Sequence, residues 1–171
     1  MSETKTTLEC RIRGLRWCNE DMQQLLEIER LSFNEFDAYT LQDFKRWFTY
    51  NPDLCLVGEV QGKIAGYVMT RIIPVHADLA SMAVHPAYKR KGIASALLKE
   101  TEARVLAYGV SAITLEVRRT NAAGMAFWGS MGFTPFGIQP GFYEDGEEAI
   151  LMRKEIRGVS FRIETDPILR G

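Results

Sequence analysis

The stretch His85–Leu98, HPAYKRKGIASALL, sets Lys89, Arg90 and Lys91 against a glycine and then turns into small and apolar residues. Ala94, Leu97, Leu98, Thr101, Val105 and Tyr108 recur every three or four positions, so a helix is expected from about residue 93, stopped by Gly109. A helix start already presents unpaired N–H groups and the positive end of a dipole. Three added cations make that spot costly unless an anion sits there. Gly92 would let backbone approach a phosphate, because no Cβ intervenes. The alternative is a solvated basic turn in which Gly92 only permits a tight corner. The chain has no G-x-x-x-x-G-K-[ST] and no G-x-G-x-x-G after a strand, which disfavours nucleotide hydrolysis and dinucleotide redox chemistry.

Working outward, Leu79–Val84 reads as a strand running into this stretch. Leu54–Val60 and Lys63–Ile72 read as a hairpin turning at Gln61-Gly62. Upstream, Leu8–Trp17 reads as a strand, and Asn19 as the cap of a helix over about 20–31. Thr40 with Asp43 resembles a capping box opening a second helix through Trp47 and Phe48. Downstream come a strand at Ile113–Val117, a helix at Asn121–Met131 ended by Gly132, and strands at Phe133–Ile138 and Ala149–Met152. The order β-α-α-β-β-β-α-β-α-β-β predicts an α/β mixed sheet with helices on its faces. Residues 8–156 read as one domain and 157–171 as a C-terminal appendage.

The 171 residues carry 21 Lys plus Arg and 22 Asp plus Glu, a net charge of −1. That balance argues against coating nucleic acid or a membrane, so the cations at 89–91 ask for a local ligand. Cys10, Cys18 and Cys55 are odd in number and lack C-x-x-C spacing, which suggests neither a disulfide framework nor a zinc site. With no apolar leader-like run near Met1 either, the expected setting is the cytoplasm.

Three segments carry a family resemblance. Ser81–Ala94 resembles the acetyl-CoA motif of the GCN5-related N-acetyltransferases, with Lys89 where Arg or Gln is usual and with Gly92 and Ala94 fitting. Leu115-Glu116-Val117-Arg118, Asn121-Ala122-Ala123 and Phe127–Phe133 follow the family's "LEVR…N…A…Y…GF" segment. Phe142–Ala149, FYEDGEEA, resembles the "YYxDGEDA" loop of the ribosomal-protein and Ard1-like enzymes that acetylate protein N-termini. The resemblance covers about residues 9 to 155. It implies a mixed sheet of about seven strands with splayed middle strands and about four helices.

It also implies roles. Met82, Ala83 and Val84 would pair with the pantetheine arm of acetyl-CoA like an added strand. Lys89 sits at the motif's head, and Arg90, Lys91, Gly92, Ile93, Ala94 and Ser95 would wrap the pyrophosphate. Asn121 would reach the pantetheine amide, or simply cap its helix. Glu116 lies mid-strand opposite in face to Leu115 and Val117, where a carboxylate on a cleft could take a proton directly or through water. Asp78 falls where relatives carry a residue that shares this work, with His76 near. Trp128 replaces a tyrosine thought to protonate the leaving thiolate, and an indole N–H cannot act as that acid. Glu35, Asp37 and Tyr143 would line the acceptor groove. The acidic loops (Glu35, Asp37, Glu144, Asp145, Glu147, Glu148) would favour a cationic acceptor.

The expected function is transfer of an acetyl group from acetyl-CoA to a polypeptide α-amine, in a ternary complex and without a metal. Two alternatives stay open: acetylation of a small amine or a lysine side chain, and a non-catalytic acyl-CoA-binding module. Oligomeric state is not legible.

Overall fold

Residues 8–157 are described in a computed structural model. Strand β1 is Cys10–Gly14, followed by helices α1 (Asn19–Ser32) and α2 (Leu41–Tyr50). Strands β2 (Cys55–Val60), β3 (Lys63–Ile73) and β4 (His76–Val84) come next, then α3 (Ile93–Ala107), β5 (Ala112–Arg118), α4 (Ala122–Ser130), β6 (Thr134–Gln139) and β7 (Ala149–Glu155). The sheet order is β1-β2-β3-β4-β5-β7-β6, antiparallel throughout except for the parallel β4–β5 pair.

The order of elements matches the sequence reading, and the differences have local causes. The hairpin turns at Gln61 and Gly62, with φ of 50° and 76°, the doubly positive turn that suits strand twist. Thr40 and Asp43 form a complete capping box on α2. Asn19, expected as a cap, lies inside α1; Cys18 holds the cap position and makes no side-chain cap bond. The carboxylate of Asp21 in that first turn is taken by Arg13 and Arg16 instead. β4 begins three residues earlier than expected, at His76, because Ile72 and Ile73 pair with Ala77 and His76 across a tight turn. The expected appendage falls, but for Arg157, outside the described residues.

Two cores sandwich the sheet. Along β3, Ala65 and Val68 join α3 residues such as Leu97 and Val105, while Ile64, Tyr67 and Met69 face Leu25, Ile28 and Phe44 of α1 and α2. Burial on both faces explains the near-continuous apolar run, and the alternation changes phase at Ala65, the extra residue where the β2–β3 register slips.

Two irregularities make room for a site. β4 and β5 pair only at Ala77↔Ile113 and Asp78↔Thr114, so they diverge beyond that point. The β3–β4 register slips between Met69 and Thr70, leaving Ala80 as an extra residue in β4. The slip flips the alternation: Ala77 and Leu79 belong to the α3-side core, as do Met82 and Val84 rather than Ser81 and Ala83. Finally, Gly58 and Gly66 face each other across β2 and β3, and a Cβ on either would stand 3.1–3.2 Å from Cγ2 of Ile93. The absent side chains let the start of α3 settle directly on the sheet.

Candidate active site

The start of α3 fits an anion. Gly92 caps the helix with φ of +77°, and Arg90 is also left-handed at +62°. A Cβ on Gly92 would meet no atom within 4 Å, so the space beside it is open and the backbone conformation is what demands glycine. Lys89, Arg90 and Lys91 form no ion pair among the described residues. A cavity of about 480 Å³ runs from here along β4, walled by Met82, Ala83, Val84, Lys89, Arg90, Gly92, Ile93, Ala94 and Ser95. Of the cofactor residues expected from sequence, Lys91 and Asn121 do not line it. Asn121 accepts a hydrogen bond from the Gly124 N–H at 2.8 Å, capping α4, and faces the neighbouring cleft.

That cleft, about 540 Å³, lies where β4 and β5 diverge; Phe33 and Met82 wall both spaces, so the two meet. Asp78 and Glu116 share its wall, each on the strand face opposite its buried apolar neighbours. Burial pushes the Glu116 carboxyl up to about 7, with the Asp78 charge adding and Arg71 opposing. Asp78 is only 8% exposed, and burial raises its pKa against the pull of Arg71. Its Oδ2 accepts from Arg71 Nε at 3.1 Å, and its Oδ1 has no partner. Arg71 in turn lies over the Trp47 ring, 4.5 Å from its centroid, which fixes the guanidinium at the cleft wall. His76 is not part of this wall. Trp128 lines the cleft and packs edge-on against Phe127 and Phe133.

The loops on either side of the cleft are joined by Arg118. Its Nε and Nη2 hold both oxygens of Asp37 at 2.7 Å, and its Nη1 reaches Asp145 at 2.8 Å and Glu147 at 2.6 Å. The same guanidinium lies 4.0 Å over the ring of Tyr143. Thr120 and then Arg118 pull Glu147 down to about 2. Arg119 takes Glu148. Four of the six carboxylates of the acidic loops pair within the chain, three of them on the single Arg118, which leaves Glu35 and Glu144 without an ion pair among the described residues. Asp37 lines the cleft with its carboxylate already engaged, and Glu35 is exposed outside the lining. Arg118 and Arg71 were missed as site residues. Arg118 bonds partners 81, 27 and 29 positions away, and no local pattern signals such pairing.

Comparison with known proteins gives many relatives, three of which follow. The N-alpha-acetyltransferase of Sulfurisphaera tokodaii is 31% identical over 169 residues, 88% of this chain and 96% of the relative. The ribosomal protein bS18-alanine N-acetyltransferase of Escherichia coli is 38% identical over 94 residues, 53% of this chain and 64% of the relative. Among solved structures, Chaetomium thermophilum Naa20, in complex with a bisubstrate analogue, superposes with a TM-score of 0.75 at 28% identity, covering 85% of this chain and 86% of that one. The acetyltransferase (GNAT) family model matches residues 21–133, and with the diverging strands and the glycine-capped helix start already described, the chain belongs to that family.

Proposed function

We propose that this acetyltransferase moves the acetyl group of acetyl-CoA onto the free α-amine of a polypeptide. The observation that carries the proposal is the junction at Phe33 and Met82, where a cation-flanked cavity meets a carboxylate-lined cleft. The names of the archaeal and bacterial relatives support the same acceptor. When bound, acetyl-CoA supplies an activated thioester carbonyl and a thiolate leaving group. Lys89, Arg90 and the N–H groups from Gly92 to Ser95 would hold its pyrophosphate, Lys91 adding charge from outside the cavity. The diverging edge of β4 at Met82–Val84 would hold the pantetheine arm.

Glu116 takes a proton from the acceptor amine, directly or through water. As the C–N bond forms and the C–S bond breaks, that proton can pass to the departing sulfur or to solvent. Trp128 supplies no proton and acts as packing. Burial keeps the proton affinity of Glu116 near neutral, and Asp78, held by Arg71, adds to it. An α-amine, with a pKa near ~8 against ~10.4 for lysine, needs only such a modest base. Tyr143 and Asp37, clasped by Arg118, would wall the peptide, with Glu35 at the mouth of the groove. No group of three potential metal ligands occurs among the described residues, and the proposed mechanism uses no metal. The free Cys10, Cys18 and Cys55 accord with a cytoplasmic setting.

The test is acetyl-CoA turnover against short peptides with varied first residues, beside spermidine and an N-terminally blocked lysine peptide. Peptide α-amines are expected to react fastest. Faster acetylation of spermidine or of the blocked lysine peptide would overturn the acceptor assignment.

A further inference from the structure

Glu29 is a carboxylate in an expensive place. It sits in the last turn of α1, against the negative end of that helix dipole, and is 1% exposed. Its Oε2 accepts from the Tyr39 N–H at 2.7 Å, while its Oε1 has no partner. Tyr39 closes the loop between α1 and α2, and its hydroxyl donates to the Ala80 carbonyl, the bulged residue of β4, at 3.2 Å. Its ring meets Phe44 edge-on, Phe44 meets Tyr67 in the same way, and the Tyr67 hydroxyl is 2.9 Å from Ser81 Oγ. Tyr39, Ala80 and Ser81 all line the acceptor cleft.

We propose that Glu29 is a positioning residue that ties Tyr39, and with it the acceptor-side loop, to the bulged backbone of β4. A neutral amide would satisfy the Tyr39 N–H at lower burial cost. What a carboxylate adds is the stronger charge-assisted bond and a dependence on its proton. Burial pushes the Glu29 carboxyl up to about 7, opposed by the Tyr39 N–H, raised further by Asp43 of α2 and opposed least by the Ser81 hydroxyl of β4, which stands near it without a hydrogen bond to Oε1. The hold on Tyr39 is thus strongest above about pH 7, where Glu29 is ionised.

The role in acceptor binding rests on the proposed function; the tie itself does not, and the experiment separates them. Peptide KM and acetyl-CoA KM are measured for wild type, Glu29→Leu and Glu29→Gln, using the most active peptide of the panel above, from pH 6 to 8.5. Amide hydrogen exchange of segment 33–40 is followed in parallel without substrate. Glu29→Leu is expected to raise peptide KM about 10- to 100-fold, the scale of a lost hydrogen bond to a charged group, with acetyl-CoA KM little changed. Glu29→Gln should match wild type near pH 6, and the ratio of its peptide KM to that of wild type should grow through about pH 7. Comparison within one pH cancels the titration of Glu116. Segment 33–40 should exchange faster in Glu29→Leu, a readout that stands even if no peptide is acetylated. Unchanged exchange, a flat Gln ratio, or equal rises in both KM values would overturn the role.

Discussion

Glu116 holds its proton to about pH 7 because it is buried beside Asp78, and two consequences of opposite sign follow. For activity, kcat/KM should rise through about pH 7 as the base ionises. Glu116→Gln should lose about 10²-fold near neutrality, the low end for general-base catalysis, and recover at high pH as the amine deprotonates unaided. A Glu116→Gln enzyme with wild-type rate at pH 7 would remove Glu116 from the mechanism. For stability, the native state binds a proton that the unfolded chain has already lost, between the ordinary glutamate value of 4.5 and about 7. Stability contributed by this group is therefore present below that window and lost as pH rises through it. The melting temperature of Glu116→Gln should exceed that of wild type at pH 8 and approach it at pH 5. Arg118 makes a second case at this scale. Arg118→Lys keeps the charge and loses the two-pronged grip on Asp37, so peptide KM should rise with acetyl-CoA KM unchanged. Glu116 was legible because a strand's period of two sets its side chain apart from Leu115 and Val117. The partners of Arg118 were not, because three-dimensional pairing across two loops leaves no spacing to read.

At the scale of elements, the paired glycines of β2 and β3 decide where α3 begins. A Cβ on Gly66 would lie 2.9 Å from the Ala83 carbonyl, which is backbone and cannot rotate aside. Gly66→Ala should therefore displace the edge of β4 expected to receive the pantetheine arm. We expect a stability loss of about 1–3 kcal/mol by denaturant titration, the usual cost of overpacking. Calorimetry should show coenzyme A binding weakened at the same time. Unaltered binding would mean that β4 adjusts without moving its edge. The capping box, the hairpin and the glycine helix stops were readable in the sequence, since each is a local pattern with a local cause. So was the phase slip of β4, in principle, since apolar Ala77 and Leu79 give way to Met82 and Val84. The glycine notch was not readable, because the two residues that form it belong to different strands and the residue they receive belongs to a helix.

For the whole molecule, the sheet separates two cores covered by helices, and the cleft opens on the side of α1 and α2. Phe44 is fully buried in that layer, between Tyr39 and Tyr67. Phe44→Ala should cost about 3–5 kcal/mol of folding stability and be visible in the denaturation midpoint. The mixed sheet and the order of its elements followed from the sequence because each strand and helix declares its own period. The gap between β4 and β5 entered only through family resemblance, since nothing in either strand alone says where pairing stops.

That gap has a mechanical side. Two backbone pairs, at Ala77 and Asp78, join strands β1–β4 to strands β5–β7. Among the described residues no other junction in the sheet has so few backbone pairs, so under heat or tension the backbone offers least resistance along this seam. Anything that lies along the seam and bonds to both lips would reinforce the molecule out of proportion to its size, and the force needed to part the two halves would then count how many molecules in a sample are loaded.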